Sequence, residues 1–198
     1  MKIHTLILGQ MLNCCYIIES HGSAIVIDPS WSMDVIESFL ERHNLQPAAV
    51  IFTHGHYDHL FNAADLLKRY NIKGYIEKGD VELADLPADL LQIFSGDYKT
   101  KIADLPVEFL HTPGHTKGSV CVMIGNSLFT GDTLFPGACG RSDFPGSCPR
   151  QLQDSLARLA KLPGATKVYS GHVYGKDNSS ETTIGHEVKT NPFIKLSI

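Results

Sequence analysis

The stretch from Thr53 to His59, which reads Thr-His-Gly-His-Tyr-Asp-His, constrains the fold of this chain more than any other part of it. It follows an unbroken apolar run over residues 48–52, whose length and β-branched content predict a buried strand. In α/β proteins, polar residues that follow a buried strand lie in the crevice where ligands bind. The spacing directs four zinc- or iron-binding side chains to two adjacent points, and these are His54, His56, Asp58 and His59. The sequence therefore predicts two neighbouring metal positions here rather than a histidine-rich surface loop.

The composition argues against several classes of protein. A chain of 198 residues with 43% apolar content can form a hydrophobic core in one domain. The net charge is −4 and the strongest basic cluster is Lys99-Thr100-Lys101, so nucleic-acid binding is not expected. Every apolar run is shorter than the roughly 18 residues of a membrane-spanning helix. The N-terminus lacks a signal-peptide pattern, which predicts a cytoplasmic location. Five cysteines, with Cys14 and Cys15 adjacent, predict free thiols in a reducing compartment.

Hydrophobic periodicity predicts two β-rich halves with helices outside them, which is a layered α/β fold. Strands are expected over residues 2–8, 14–19, 24–28, 48–52, 73–76, 107–111, 119–124, 127–130 and 166–170. Helices are expected over residues 32–43, 62–70, 150–162 and 182–189. The first should be capped by Ser32 and buried through Val35, Ile36, Phe39 and Leu40. The segment 77–101 has no clear pattern and is expected to cover or border the ligand site.

Three further strand ends carry a histidine or an aspartate directly after a glycine, and these are His115, Asp132 and His172. Chemistry favours one ion on His54, His56 and His115, and a second on Asp58, His59 and His172. Asp132 would contact both ions, because a carboxylate has two oxygens to share. A bridging hydroxide would be the nucleophile, since coordination lowers the pKa of water to about 7.

Two neighbouring features bear on this site. The chain has no Gly-x-Ser-x-Gly elbow that would indicate a serine nucleophile. Asp28, at the end of the third predicted strand, fits two roles equally well. It is either the start of an Asp-Pro turn or a carboxylate that orients a metal-bound histidine.

These motifs resemble the ligand signature of the metallo-β-lactamase superfamily at every position, and the resemblance covers essentially the whole chain. It implies a four-layer αββα sandwich with residues 1–198 as a single domain. The implied cofactors are two divalent metal ions, with zinc expected first and iron or manganese as alternatives. The resemblance also implies catalytic roles for two carboxylates, Asp58 as a ligand or proton shuttle and Asp132 as the bridge between the ions.

The loop from Gly131 to Gly146 resembles a segment of glyoxalase II-type thioester hydrolases, and residues 182–193 resemble the end of a short bacterial branch. This implies hydrolysis of a small-molecule thioester such as S-lactoylglutathione, with Arg141 and Tyr174 as substrate contacts. A guanidinium suits a carboxylate because it forms two parallel hydrogen bonds. The chain stops before the C-terminal helical domain of full-length glyoxalase II, so another thioester or ester stays open as the substrate. A simple surface ion pair between Arg141 and Asp143 also stays open.

Other functions remain as alternatives. The segment Arg141 to Phe144 also resembles glutathione persulfide dioxygenases, which would use one iron on His54, His115 and Asp132. A lactonase or β-lactamase could use the same ligands, although the loop after Asp132 does not favour it, and a nuclease would carry an inserted domain. A structural zinc site would be closed and four-coordinate, unlike this set. Among the remaining histidines, His111 is expected near His115 as an orienting partner.

Overall fold

Two six-stranded sheets form the centre of this computed structural model, which describes residues 1–174 and 179–197 of the chain. The first sheet contains, in both chain and spatial order, β1 (Lys2–Leu8), β2 (Asn13–Ser20), β3 (Ser23–Ile27), β4 (Gln46–Ile51), β5 (Gly74–Glu77) and β6 (Leu91–Phe94). The second contains β7 (Tyr98–Ile102), β8 (Leu105–His111), β9 (Val120–Ile124), β10 (Ser127–Gly131), β13 (Lys167–Ser170) and β14 (Glu181–Thr183), in the spatial order β14-β13-β10-β9-β8-β7. A hairpin of β11 (Leu134–Phe135) and β12 (Ala138–Cys139) follows β10.

The helices cover the outer faces of the two sheets. In the described chain they are α1 (Met33–Arg42), α2 (Tyr57–Leu60), α3 (Ala63–Tyr70), α4 (Val81–Ala84), α5 (Pro149–Leu159), α6 (Ile184–Thr190) and α7 (Pro192–Lys195). Buried side chains of α1 and α3 pack on the first sheet, and those of α5, α6 and α7 pack on the second. The layers are therefore helix, sheet, sheet and helix, and the predicted αββα sandwich is confirmed.

Strand β2 shows how one sequence serves two layers of the core. Successive side chains of a strand point to opposite faces of the sheet. Cys15 and Ile17 pack in the cluster that includes α1 and α3, whereas Cys14, Tyr16 and Ile18 pack between the two sheets. All five are at most 2% exposed, which explains why this strand has an unbroken apolar run rather than an alternating pattern.

Helix α1 confirms three of its four predicted core positions. Ile36, Phe39 and Leu40 are buried, but Val35 is 39% exposed because it lies at the edge of the apolar stripe. Ser32 precedes the helix and its side chain makes no capping hydrogen bond, so the predicted cap is wrong.

Strand β4 begins at Gln46, earlier than predicted, and it includes Pro47. Proline has no N–H to donate to a ladder and is tolerated in a strand only at irregular positions. The pairing of β3 with β4 shifts register between Ala24 and Ile25, and Ala24 is the partner of Pro47. The irregularity therefore lets the strand continue through the proline towards the site.

Two segments differ more strongly from the sequence prediction. The segment 77–101, for which the sequence shows no clear secondary-structure pattern, contains α4 and contributes β6 and β7, which are edge strands of the two sheets. The predicted helix over 182–189 is instead β14 followed by α6, and Thr183 caps α6 by accepting a hydrogen bond from the His186 N–H. The five cysteines are free, as predicted. Among the described residues, none of the helices is both long and apolar enough to cross a membrane.

Candidate metal centre

The residues predicted as metal ligands converge at one end of the sandwich, each supplied by a segment that follows a strand. His54 and His56 follow β4, and Asp58 and His59 lie in α2 just beyond them. The second sheet supplies three more, after β8, β10 and β13, and these are His115, Asp132 and His172. All of these side chains except His56 are nearly or fully buried. The first half of the chain therefore contributes four of the seven and the second half three.

His54, His56 and His115 form the first group. One donor atom from each lies within 4.8 Å of the others. The distance from His56 Nδ1 to His115 Nε2 is 2.9 Å. His54 Nε2 is buried and has no hydrogen-bond partner within the described part of the chain. A buried nitrogen lone pair without a donor is costly, and a cation at this point would satisfy it.

Asp58, His59 and His172 form the second group, again with donor atoms within 4.8 Å of one another. The Nε2 atoms of His59 and His172 are 3.1 Å apart, and each is 3.5 Å from Asp58 Oδ2. Asn13 donates from Nδ2 to Asp58 Oδ2 at 2.8 Å and holds that carboxylate in place. The second group thus brings together two imidazoles and a carboxylate, where the first brings together three imidazoles.

Asp132 lies between the two groups. Its Oδ2 is 3.6 Å from His115 Nε2 in the first group and 3.4 Å from His172 Nε2 in the second. Its Oδ1 is 3.5 Å from His59 Nε2 and has no hydrogen-bond partner among the described residues. One carboxylate therefore reaches both groups, which is the position that the sequence predicted for a bridging ligand.

The outward-facing ring nitrogens have fixed acceptors. His59 Nδ1 is 3.0 Å from Asp28 Oδ2, His172 Nδ1 is 2.9 Å from the Met11 carbonyl, and His115 Nδ1 is 2.7 Å from the Arg141 carbonyl. Each Nδ1 must donate its hydrogen to these acceptors, which leaves the Nε2 lone pair directed at the centre. Facing lone pairs repel unless a positive ion lies between them. The residues present therefore fit divalent cations.

The pKa shifts of the histidines also indicate a site that suits divalent cations. Burial lowers the pKa of His54 well below its usual value, and burial together with the neighbouring His115 lowers the pKa of His56. Burial would also lower the pKa of His59, but the carboxylates of Asp132 and Asp28 outweigh it and raise that pKa to about 9. The carboxylates thus draw positive charge into the centre, where a metal ion would replace the proton.

Asp28 combines both of the roles that the sequence left open. Its carbonyl accepts a hydrogen bond from the Ser30 N–H at 2.8 Å, and its φ is +50°, which belongs to a turn. Its carboxylate accepts from the N–H and the hydroxyl of Thr53, at 2.8 and 2.6 Å, and orients His59. An oxygen of Asp28 also lies within 4.8 Å of nitrogens of His54 and His59. We regard Asp28 as an orienting group rather than a ligand, because Thr53 already occupies its oxygens.

Sequence reasoning missed a buried carboxylate, Asp80, that joins two of the ligand loops. It is 1% exposed and accepts hydrogen bonds from the Gly55 N–H, between the histidines of the first group, at 2.7 Å. It also accepts from the Thr116 hydroxyl at 2.6 Å and from the Gly118 N–H at 2.7 Å, both just after His115. Two of its donors are backbone groups, so the sequence pattern carries no signal for this role. Asn13 was also missed, because its side chain meets Asp58 from 45 residues away along the chain.

A cavity of about 570 Å³ opens onto the centre and contains both predicted substrate contacts. Tyr174 stacks on the His172 ring, with centroids 4.6 Å apart. The Arg141 guanidinium donates two hydrogen bonds to Asp143, each 2.9 Å long, and lies 4.2 Å from the centre of the Phe144 ring. The ion pair with Asp143 is therefore present, and Arg141 lines the cavity at the same time.

Two further side chains near the centre are His111, which was predicted to orient His115, and Cys139. His111 does not orient His115, because its Nε2 instead lies 3.0 Å from the Lys117 carbonyl at the surface, and the outward nitrogen of His115 faces Arg141. Cys139 lines the cavity, and burial raises the pKa of its thiol to about 11. A thiol of this kind carries little thiolate near neutral pH and is a poor nucleophile.

The comparisons with known proteins agree with this geometry. A family model described as the metallo-beta-lactamase superfamily matches residues 10–172. A probable polyketide biosynthesis zinc-dependent hydrolase (PksB) of Bacillus subtilis is 34% identical over 180 residues, which are 89% of this chain and 77% of that protein. A hydroxyacylglutathione hydrolase of Xanthomonas euvesicatoria is 38% identical over 169 residues, which are 83% of this chain and 62% of that enzyme. The solved structure of TTHA1623 in a di-iron-bound form superposes with a TM-score of 0.82 and 31% identity, covering 96% of this chain and 99% of that one.

The layered fold and the cluster of imidazoles and carboxylates define a metal-dependent hydrolase. The family match over most of its length shows which kind: the chain belongs to the metallo-β-lactamase superfamily. This superfamily binds divalent metals, and the His and Asp cluster of this chain is arranged to do the same.

Proposed function

We propose that the chain is a dinuclear thioester hydrolase. In this proposal His54, His56 and His115 hold one ion, Asp58, His59 and His172 hold the other, and Asp132 contacts both. The observation that carries it is the position of the Asp132 carboxylate, 3.4–3.6 Å from imidazole nitrogens of both groups. The di-iron-bound relative supports two ions, and the zinc-dependent relative supports zinc as the first metal to test.

When bound, two divalent ions lower the pKa of a coordinated water to near neutrality and polarise the carbonyl that is attacked. The chain's own residues keep the ligands in position for this chemistry. Asp28 and the Met11 and Arg141 carbonyls each hold one imidazole so that its Nε2 remains directed inward. Asp58 lines the cavity, and Asn13 holds its Oδ2. We assign to Asp58 both a ligand position and the transfer of a proton from the attacking water to the departing thiolate.

The thioester class is supported by the loop from Gly131 to Gly146 and by the hydroxyacylglutathione hydrolase relative. In this proposal Arg141 exchanges Asp143 for a carboxylate on the thiol portion of the substrate, with the same bidentate geometry. Tyr174 lies beside His172 at the cavity, where it would contact the substrate close to the metal centre.

The test is hydrolysis of S-lactoylglutathione by the purified protein, with the metal counted on the same sample. Turnover with about two ions per chain supports the proposal. Two ions without turnover of this thioester or of an acyl-N-acetylcysteamine would overturn the thioester assignment. One iron, with oxygen uptake on glutathione persulfide, would replace the proposal with the single-iron reaction on His54, His115 and Asp132.

A further inference from the structure

We propose that the cavity at the metal centre binds the aliphatic acyl chain of the substrate. Thioesters of medium-chain fatty acids should then react faster than the small, polar lactoyl thioester. This inference rests on the proposed thioester hydrolase activity and adds the class of acyl group that the site accepts.

The first observation is the chemistry of the cavity rim. Outside the predicted ligands, large apolar or aromatic side chains dominate its lining. Five of them remain 37–63% exposed, and these are Met11, Tyr57, Leu83, Phe144 and Tyr174. Covering exposed side chains of this size with an aliphatic chain removes apolar surface from water, which is favourable. The rim is therefore suited to apolar groups.

The second observation is where exposed apolar side chains occur on the molecule. Thirteen large apolar or aromatic side chains are exposed in the described chain, and five of these line this one cavity. The patch continues outward, because the Tyr57 and Trp31 rings form a T-shaped pair with centroids 5.8 Å apart and Trp31 stacks on the exposed Phe61. Single exposed apolar residues are ordinary, whereas a contiguous patch beside a cavity marks a binding site.

The third observation is that the rim is assembled from separate parts of the fold. Met11 lies in the turn between β1 and β2, Tyr57 begins α2, and Leu83 lies in α4. Phe144 lies in the loop after β12, and Tyr174 follows β13. Five segments that are distant in sequence place an apolar side chain at the same opening. The apolar rim is therefore a property of the assembled fold and does not come from a single hydrophobic loop.

The distribution of charge agrees with an apolar occupant. Apart from the predicted ligands, Arg141 is the one charged side chain among the described residues that line the cavity. The proposed function assigns Arg141 to the thiol portion of the substrate, and its guanidinium lies over the Phe144 ring, so the rest of the described lining offers no charge to the acyl group. A lactoyl group would place its hydroxyl among apolar side chains, at a cost in desolvation. An aliphatic acyl chain has no such cost.

The size of the effect follows from the apolar area that a chain buries. Each methylene covered by the rim should raise kcat/KM by up to about fourfold, until the chain extends beyond the cavity. Over the six methylenes that separate acetyl from octanoyl, even partial burial gives an increase of roughly a hundredfold. A site that has no acyl pocket would give a flat series.

The experiment uses the metal-loaded protein and S-acyl derivatives of N-acetylcysteamine, so that the thiol stays constant while the acyl group varies from acetyl through butyryl and hexanoyl to octanoyl, with lactoyl alongside. We expect kcat/KM to rise along the aliphatic series and octanoyl to exceed lactoyl. Hydrolysis with a flat or falling series, or with lactoyl preferred, would overturn the inference and leave the hydrolase proposal intact.

A matched pair of variants tests whether this cavity is responsible. Leu83→Gln makes the rim polar, and Ile93→Gln makes the same kind of change at a side chain on β6 that is similarly exposed, 41% against 48%, and is not among the cavity-lining residues. Leu83→Gln should lower the ratio of octanoyl to acetyl kcat/KM several-fold, and Ile93→Gln should preserve it. Equal ratios in the two variants would contradict the placement of the acyl chain.

Binding without turnover separates the two proposals. S-octyl-N-acetylcysteamine is a thioether that cannot be hydrolysed, and calorimetry can compare it with the S-methyl compound. We expect the octyl compound to bind at least tenfold more tightly, and Leu83→Gln to reduce this difference. If no thioester is hydrolysed but the octyl preference is present, the thioesterase proposal fails and the apolar cavity stands. If both thioethers bind equally, the cavity inference fails.

Discussion

Replacing Asp80 by asparagine should weaken the first ion-binding group selectively. Asp80 Oδ2 accepts from the Gly55 N–H and the Thr116 hydroxyl, and its Oδ1 accepts from the Gly118 N–H. An asparagine of the same shape has only one oxygen, so its amide N–H₂ must face at least one of these donors. A hydrogen bond to a buried charged group contributes about 1.5–3 kcal/mol, and an unsatisfied partner adds to the loss. We therefore expect Asp80→Asn to lower the free energy of unfolding by roughly 3 kcal/mol.

The matched control is Glu187→Gln. Glu187 is also fully buried and also accepts three hydrogen bonds, from the Gly137 N–H, the Thr182 hydroxyl and the Asn191 amide, at 2.8–2.9 Å. None of its donors is adjacent in sequence to a predicted ligand, and the nearest, Gly137, lies five residues after Asp132. The two variants should therefore lose similar stability in the metal-free state, a fall of roughly 6–12 °C in Tm for a domain of this size.

Metal affinity distinguishes the two variants. Gly55 lies between His54 and His56, and Thr116 follows His115, so a shift at Asp80 moves all three residues of the first group. Loss of an orienting partner typically weakens metal binding 10- to 100-fold. In a competition titration with a chelating indicator, Asp80→Asn should lose affinity for one of two ions by about this factor, and Glu187→Gln should bind both normally. Equal affinities in the two variants would refute the reasoning.

The remaining predictions concern the shared carboxylate, the substrate contact, the ions and the thiol. Asp132→Ala should reduce the rate of thioester hydrolysis more than about a hundredfold and should reduce the bound metal, as measured by elemental analysis. A variant that keeps its full activity and its full metal content would contradict the proposed mechanism. Arg141→Ala should raise the KM for S-lactoylglutathione roughly tenfold while Lys99→Ala, at another exposed ion pair, leaves it unchanged, and an unaltered KM in Arg141→Ala would remove that residue from the substrate site. Removing the ions with a chelator should lower Tm by roughly 10 °C, because ions that bind only the folded chain stabilise it. An unchanged Tm would argue against tight binding of the ions. The pKa of Cys139 is raised from 9.0 to about 11, so its thiolate fraction at pH 7.5 falls about a hundredfold. Iodoacetamide should therefore label Cys139 more slowly than it labels a peptide thiol, as measured by mass spectrometry. Equal labelling rates would contradict the raised pKa.

The positions of the candidate ligands could be predicted because each one follows a strand, and strand ends are where a sandwich of this type meets solvent. His115 and His172 were identifiable from the glycine before them together with the strand before that. The fold class was accessible in part because the unbroken apolar run over residues 48–52, at the end of β4, predicts a buried strand.

The residues that hold the ligands were not accessible from the sequence. The donors to Asp80 are 25, 36 and 38 residues away along the chain, and two of them are backbone N–H groups that every residue except proline possesses. The prediction of a helix over residues 182–189 failed for another physical reason. Residues 181–183 form a strand because β13 offers them an open edge, and local helix propensity does not report such a partner.

The division of the ligands between the two halves has a mechanical consequence. Each of the two proposed ion-binding groups takes two side chains from the first half of the chain and one from the second, and Asp132 adds a further contact from the second half. The ions would therefore link the two sheets, and separating the two halves of the chain would break both ion-binding groups. A chain cut at the exposed turn around Gly96, between β6 and β7, would leave two fragments, neither of which contains all three residues of either proposed ion-binding group. Reassociation of those fragments should therefore depend on added metal.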